Sequence, residues 1–172
     1  ILGLCVAGLC IMAATAAVGV STYWDSITRQ YNEMAYQVAH TAEGYFTQEE
    51  IARYADVVYR YCTGQAEKDE IDEITGSSRY QEIKAQLDSL RVSMEANDIF
   101  VFVFDIDLLR NFDQEAYDNM EWNPIYYISD SYHVEEEQFS MGDKSSVLQE
   151  YVEDCIQAYE TGVHADNYFI SE

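Results

Sequence analysis

The chain has 172 residues, the size of one ordinary domain, and carries 9 Lys and Arg against 32 Asp and Glu for a net charge of −23. Affinity for nucleic acid rests on Lys and Arg neutralising phosphates; no basic patch occurs here, so nucleic-acid binding is excluded. Disorder, the other reading of high charge, is excluded by 15 Tyr, 7 Phe and 2 Trp, which supply material for a core.

The first 20 residues, ILGLCVAGLCIMAATAAVGV, contain no charge. As a helix rising about 1.5 Å per residue they span roughly 30 Å, the thickness of a bilayer's hydrocarbon core. A transmembrane helix over 1–20 is the expectation. A cleaved signal peptide, with ATAAVGV as its small-residue site, and a buried core helix are the alternatives. Arg29 is the only basic residue soon after this run. Because Lys and Arg mark the cytoplasmic flank of a span, residues 21–172 are expected as one extracytoplasmic domain at the cell membrane. Cys5 and Cys10 fall inside the run and act as small apolar residues. Cys62 and Cys155 fall outside it, where a disulfide is permitted but not required, and each also sits on the apolar side of a helical pattern.

Trp24, Ile27, Tyr31, Met34, Val38, Ala42 and Tyr45 recur every three or four residues with no Pro or Gly from 21 to 43. This predicts that the first helix continues outward as a stalk, or as the first helix of the domain. Thr47 with Glu50 forms the pattern of a capping box, opening a helix whose face is Ile51, Tyr54, Val58 and Tyr61 and which stops at Gly64. The stretch QAEKDEIDEITGSS reads as a loop. Ser78 with Gln81 opens a third helix, with Ile83, Leu87, Leu90 and Met94 on one face.

Strands follow. Residues 99–104 are all β-branched or aromatic, as expected of a strand covered on both faces. Residues 125–130 form a second strand, on which a period of two puts Tyr126, Ile128 and Asp130 on one face. A last helix is expected from Ser145 or Ser146 to Gly162, turning Val147, Tyr151, Cys155 and Tyr159 inward, and NYFIS near the end begins another strand. A sheet with so few strands is incomplete, and its remaining strands are expected beyond Glu172.

Catalytic signals are thin. FVFDIDLL resembles the nucleophile strand of the haloacid-dehalogenase phosphatases, but Leu108 and Leu109 stand where that family needs a small residue and a polar or small branched one. Asp105 and Asp107 are therefore read as ending the strand and entering a surface loop. His133 beside Glu135, Glu136 and Glu137 does not have zinc-ligand spacing, and Asp105, Asp107, Asp113 and Asp118 lack the register of a calcium loop. No catalytic residue, metal or cofactor is assigned.

The order of elements, with YRYCTG, SSRYQEIKAQLDSL, IFVFVFDID, YYISD, MGDKS and AYETG as its short motifs, resembles the Cache domains. These are the PAS-like extracytoplasmic sensors of bacterial chemoreceptors, histidine kinases and diguanylate cyclases. The resemblance implies an α+β fold in which the membrane helix continues into a long stalk helix packed on an antiparallel PAS-like sheet, with a small-molecule ligand on the sheet's other face. It also implies a homodimer through the stalk, using Tyr23, Ile27 and Tyr31, and signalling to a cytoplasmic effector. By the same resemblance Asp130 is the leading ligand contact, as acceptor for an amine or a hydroxyl, with Tyr126 and Tyr132 beside it. A membrane-tethered binding or adhesion module without signalling output is the alternative.

Overall fold

The computed structural model describes residues 2–162, with side chains from Thr22 onward except those of Asp25 and Glu136. Among these residues the chain is α+β, with seven α-helices and one three-stranded antiparallel sheet. Helix α1 spans Leu2–Glu43 without a break. The chain divides into two compact units, and the second begins at Val38. In the first unit Tyr23, Trp24, Tyr31 and Tyr36 are exposed. Among the described residues no helix is long and apolar enough to cross a membrane. The side chains of residues 1–20, on which the expectation of a membrane helix rests, lie outside those described, as does the NYFIS strand.

The second unit is built on an inner core. The last turn of α1 contributes Val38 and Ala42, and α2 (Gln48–Cys62) contributes Tyr54, Val57, Val58 and Cys62. The capping box of α2 is complete: Glu50 N–H donates to Thr47 Oγ1 (3.1 Å) and Thr47 N–H to Glu50 Oε2 (2.8 Å). Helix α3 (Lys68–Thr75) occupies the charged stretch read as a loop. Its apolar pair, Ile71 and Ile74, is buried, while Arg60 and Arg53 of α2 hold Glu70 and Glu73 at 2.7 and 2.8 Å. Two apolar residues in eight are too few to show a period, which is why sequence pattern missed this helix. Helix α4 (Ser78–Ser93) buries Tyr80, Ile83, Leu87 and Leu90, and is capped by Ser77 rather than Ser78.

Strand β1 (Phe100–Phe104) pairs with β2 (Ile125–Asp130), which pairs on its other side with the two-residue β3 (Lys144–Ser145). All six residues of β2 are buried, as befits the central strand. Gly142, at φ +90°, leads into β3; a Cβ there would lie 2.8 Å from the Tyr61 ring, so glycine is required on both counts.

Between β1 and β2 lie two short helices, α5 (Ile106–Arg110) and α6 (Gln114–Asp118), capped by Asp105 and Asp113. With α7 (Val152–Thr161) they form a second core around Leu109, Trp122 and Val152. Helix α7 starts seven or so residues later than Ser145 or Ser146 would have it, because Ser145 is committed to β3 and a 3-10 turn at Gln149–Tyr151 intervenes. Tyr159, expected inward, is 56% exposed, whereas Gly162 ends the helix in the left-handed conformation as expected. Cys62 and Cys155 are free thiols in different cores, and Cys62 donates to the Gly142 carbonyl (3.3 Å). Burial pushes both thiols up, that of Cys62 to about 11, so neither is a ready nucleophile.

Arg79 joins α4 to the start of α2, donating to Glu50 Oε1 (2.7 Å) and to the Tyr45 carbonyl (2.8 Å). The Arg79 hydrogen bond, followed by the Thr47 amide, draws the Glu50 carboxyl from 4.5 to about 2. A carboxyl whose folded value lies below its unfolded one adds stability above the unfolded value and loses it as pH falls through the folded one. In the Glu50→Gln variant the urea midpoint is therefore expected to fall less steeply than in the parent between pH 4.5 and about 2.

Candidate ligand-binding site

The two faces of the sheet have different coverings. On β1, Val101 and Val103 pack into the inner core, leaving Phe100, Phe102 and Phe104 on the opposite, outer face. Their rings form a row, Phe100 to Phe102 at 5.5 Å and Phe102 to Phe104 at 4.9 Å between centroids. Phe104 packs into the second core, while Phe100 is 44% exposed.

Strand β2 does not alternate evenly. Phe102 opposes Tyr127 and Val101 opposes Ser129, so Ile128 is one extra residue on β2, a β-bulge. Before the bulge, Tyr126 faces inward and Tyr127 outward; beyond it, Asp130 stands opposite Phe100 and so on the outer face. Ring contacts agree: Tyr127 meets Phe100 at 6.0 Å and Phe102 at 6.5 Å, edge-on. Phe139 closes the group from the loop after β2, stacked on Tyr127 at 4.2 Å with an interplanar angle of 8°. The Phe139 N–H donates to Asp130 Oδ2 (2.9 Å), which ties the carboxylate to the same rings.

Asp130 is 4% exposed, yet its Oδ1 accepts no hydrogen bond from any described group. Pairing persists past the strand ends, with Ser131 N–H donating to the Ile99 carbonyl (2.9 Å) and His133 N–H to that of Asn97 (3.2 Å), which sets Asp98 diagonal to Asp130. Asp98 keeps exposed surface as a residue, but its carboxyl is partly desolvated. That desolvation, and then the charge of Asp130, push it above its ordinary value, with His133 opposing. None of the described ion pairs uses Asp98 or Asp130. Lys84 reaches only the backbone carbonyl of Asp130 (3.4 Å) and the side-chain oxygen of Gln138 (2.8 Å).

At the other end of the row, a cleft of about 470 Å³ opens along the edge of β1, lined by Ala55, Tyr59, Phe102, Val103, Phe104, Ile106 and Tyr159. Phe102 belongs to both the cleft and the aromatic row, so the two form one continuous apolar surface. The charge of Asp105, then desolvation and the charge of Asp107, push the Tyr59 phenol up, which marks the cleft as electronegative.

The three residues singled out from sequence do not share one face. Tyr126 lies on the inner face, its hydroxyl donating to Asp105 Oδ2 (2.8 Å), with Lys144 Nζ 5.4 Å from its ring centroid. Burial first, and the Asp105 hydrogen bond next, push its phenol strongly up. Tyr132 is half-buried and set edge-on to His133 at 4.4 Å. The bulge turns Asp130 away from Tyr126 to the outer face, where the continued register sets Tyr132 opposite Asp98 and so on the same side as Asp130. Asp105 also departs from expectation: it is 6% exposed and caps α5, accepting from Leu108 N–H (3.1 Å), rather than entering a surface loop. Phe100, Phe102 and Tyr127 were legible as alternate residues of two strands, whereas Phe139 sits in an acidic loop with no periodic signal. Among the described residues no group of three or more His, Cys, Asp and Glu is placed to hold a metal ion.

Comparison of the chain with protein-family models, with curated proteins and with solved structures finds no match. Function is therefore argued from the geometry of the sheet.

Replacing Tyr126 with Phe removes the donor to Asp105 and leaves a buried carboxylate oxygen unsatisfied, at a cost of about 1–3 kcal/mol. Urea denaturation of Tyr126→Phe is expected to show this loss, and an unchanged midpoint would show that the pair does not hold the strand ends together.

Proposed function

We propose that the chain is the extracytoplasmic ligand-sensing region of a bacterial transmembrane signalling receptor, of diguanylate cyclase, histidine kinase or chemoreceptor type, with a Cache-like, PAS-like domain. In this reading residues 1–20 anchor it in the membrane, and small-molecule binding on the outer face is passed to a cytoplasmic effector. The observation that carries the reading is Asp130: a buried carboxylate with a free acceptor oxygen at the end of an aromatic row on one face of a sheet. Binding sites join a few placed polar groups to apolar walls in this way. Its support from chain order is the run of a long helix, shorter helices and an antiparallel sheet.

A route for the signal is available within the second unit. Val38 and Ala42, in the last turns of α1, pack in the same core as Val101, Val103, Tyr126 and Ile128 from the sheet. A ligand that binds one packing of sheet on helix more tightly than another shifts the balance between them, by no more than its difference in affinity.

A thermal-shift screen of the full chain against amino acids, amines and polyols is expected to find at least one compound that raises the unfolding temperature in the parent and not in Asp130→Asn. Stabilisation that survives this substitution would move the site elsewhere. Binding that leaves the output of the full receptor unchanged would favour the tethered binding module. Dimerisation through α1 is proposed on the exposed Tyr23 and Tyr31 with half-buried Ile27. Cysteines introduced at Tyr23 or Tyr31 are expected to crosslink pairs of chains in membranes, and recovery of monomers only would overturn the dimer.

A further inference from the structure

We propose that the outer end of the β1–β2 pair is a proton-binding site: on acidification Asp98 takes a proton from solvent and donates its new O–H to the free Oδ1 of Asp130. The corner then passes from two negative charges to one, and the paired segments 97–100 and 130–133 hold together more tightly. The site is independent of any small-molecule ligand on that face.

Asp130 is 4% exposed and its Oδ1 accepts from no described group, whereas its Oδ2 is occupied by the Phe139 amide at 2.9 Å. A buried acceptor left open is costly, and a neighbour able to become a donor relieves it. Asp98 is that neighbour. Phe100 opposite Asp130, with the Ser131-to-Ile99 and His133-to-Asn97 hydrogen bonds, sets Asp98 diagonally across the outer face, where such neighbours stand about 7–8 Å apart. Ionised, it repels Asp130; protonated, it loses that charge and gains a donor at once. Desolvation first, and then the charge of Asp130, push its carboxyl above the ordinary 3.8, with His133 opposing. Asp98 also keeps exposed surface, so it exchanges its proton with solvent without any opening at Asp130.

The other polar groups around the pair are committed elsewhere. Lys84 of α4 turns its ammonium to the Asp130 carbonyl (3.4 Å) and to Gln138 Oε1 (2.8 Å). Asp88 and Arg91 of the same helix meet at the Ser131 hydroxyl, which donates to Asp88 Oδ1 (2.6 Å) and accepts from Arg91 Nε (3.2 Å). Burial first pushes the Tyr127 phenol up, with the charges of Asp130 and Asp98 adding and a Ser145 hydrogen bond opposing, so it stays protonated in acid. Tyr132 stands edge-on to His133 at 4.4 Å. Histidine also takes up a proton on mild acidification, which brings His133 into the test.

A carboxyl whose folded value lies above its unfolded one adds stability that is full below the unfolded value and is lost as pH rises through the folded one. Glu50 and Glu70 are drawn below 4.5 and lose their contributions only under that pH, so the interval from neutral pH to about 4.5 keeps them out of the comparison. The test is urea denaturation of the full chain across that interval, with the Asp98 carboxyl titrated in parallel by carbon-13 NMR. Asp98→Asn carries a donor and no charge; its midpoint is expected to lie above the parent's at neutral pH, and the two to converge as pH falls. His133→Gln is expected to keep the parent's rise. The Asp98 carboxyl is expected to titrate above 3.8 in the parent and closer to it in Asp130→Asn. Parallel profiles of parent and Asp98→Asn, or a rise abolished by His133→Gln alone, would overturn the proton site. So would a parent Asp98 carboxyl that titrates at or below 3.8, a readout that needs no variant to fold. The ligand screen above can fail without moving any of these values, so the sensing reading and the proton site fall separately.

Discussion

The junction at Asp105 is the constraint from which the rest of the second unit follows. One side chain receives the Tyr126 hydroxyl from β2 and the Leu108 amide from the first turn of α5, while its own amide donates to the Pro124 carbonyl (2.8 Å). It therefore closes the β1–β2 pair, starts α5 and stands between the two cores. A carboxyl group is tolerable at so buried a position because its oxygens are occupied by donors that cannot leave without breaking a strand or a helix. An Asp-x-Asp at the end of an apolar strand, which in other folds performs chemistry, here holds structure at its first position and faces solvent at its second.

The bulge in β2 sets the second condition. An extra residue costs a regular ladder, and the cost is offset locally: the Tyr80 hydroxyl donates to the Ile128 carbonyl (2.8 Å), and the Ile128 side chain is fully buried in the inner core. A residue from α4 thus stabilises the irregularity that delivers Asp130 to the outer face. With unbroken alternation the carboxylate would point into the apolar inner core, where nothing could pay for it. The bulge turns a burial problem into a placed acceptor.

Periodic signals were readable and non-periodic ones were not. The capping box of α2, the buried face of α4 and the two strands at Phe100 and Ile125 were legible, but the covering of the strands was not: β1, expected to be covered on both faces, is an edge strand with Phe100 exposed, and β2, expected to alternate, is buried throughout as the central strand. Helix α3 was not, since Ile71 and Ile74 alone carry its apolar face and its remaining support comes from arginines of another helix. Helices α5 and α6 are too short for a period and exist because Asp105 and Asp113 cap them over a tryptophan supplied later in the chain. The bulge was invisible for a different reason. Register belongs to the pairing of two strands, and a one-residue slip reverses every assignment beyond it. Even alternation sets Asp130 on the face of Tyr126; with the bulge it stands on the face of Tyr127 and accepts from the Phe139 amide instead.

The scarcity of basic residues gives this arrangement its chemical meaning. Arg53, Arg60, Arg79 and Arg110 are each engaged by carboxylates of other elements, and Lys144 and Arg91 donate to the Cys62 carbonyl and the Ser131 hydroxyl. The fold spends its few cations joining helix to helix and helix to sheet. What remains at the outer end of the sheet is negative charge backed by aromatic surface, in a chain whose excess of 23 negative charges attracts cations from solution. Asp98 and Asp130 are left there without a described ion pair, so the repulsion between them weighs against the fold at that corner.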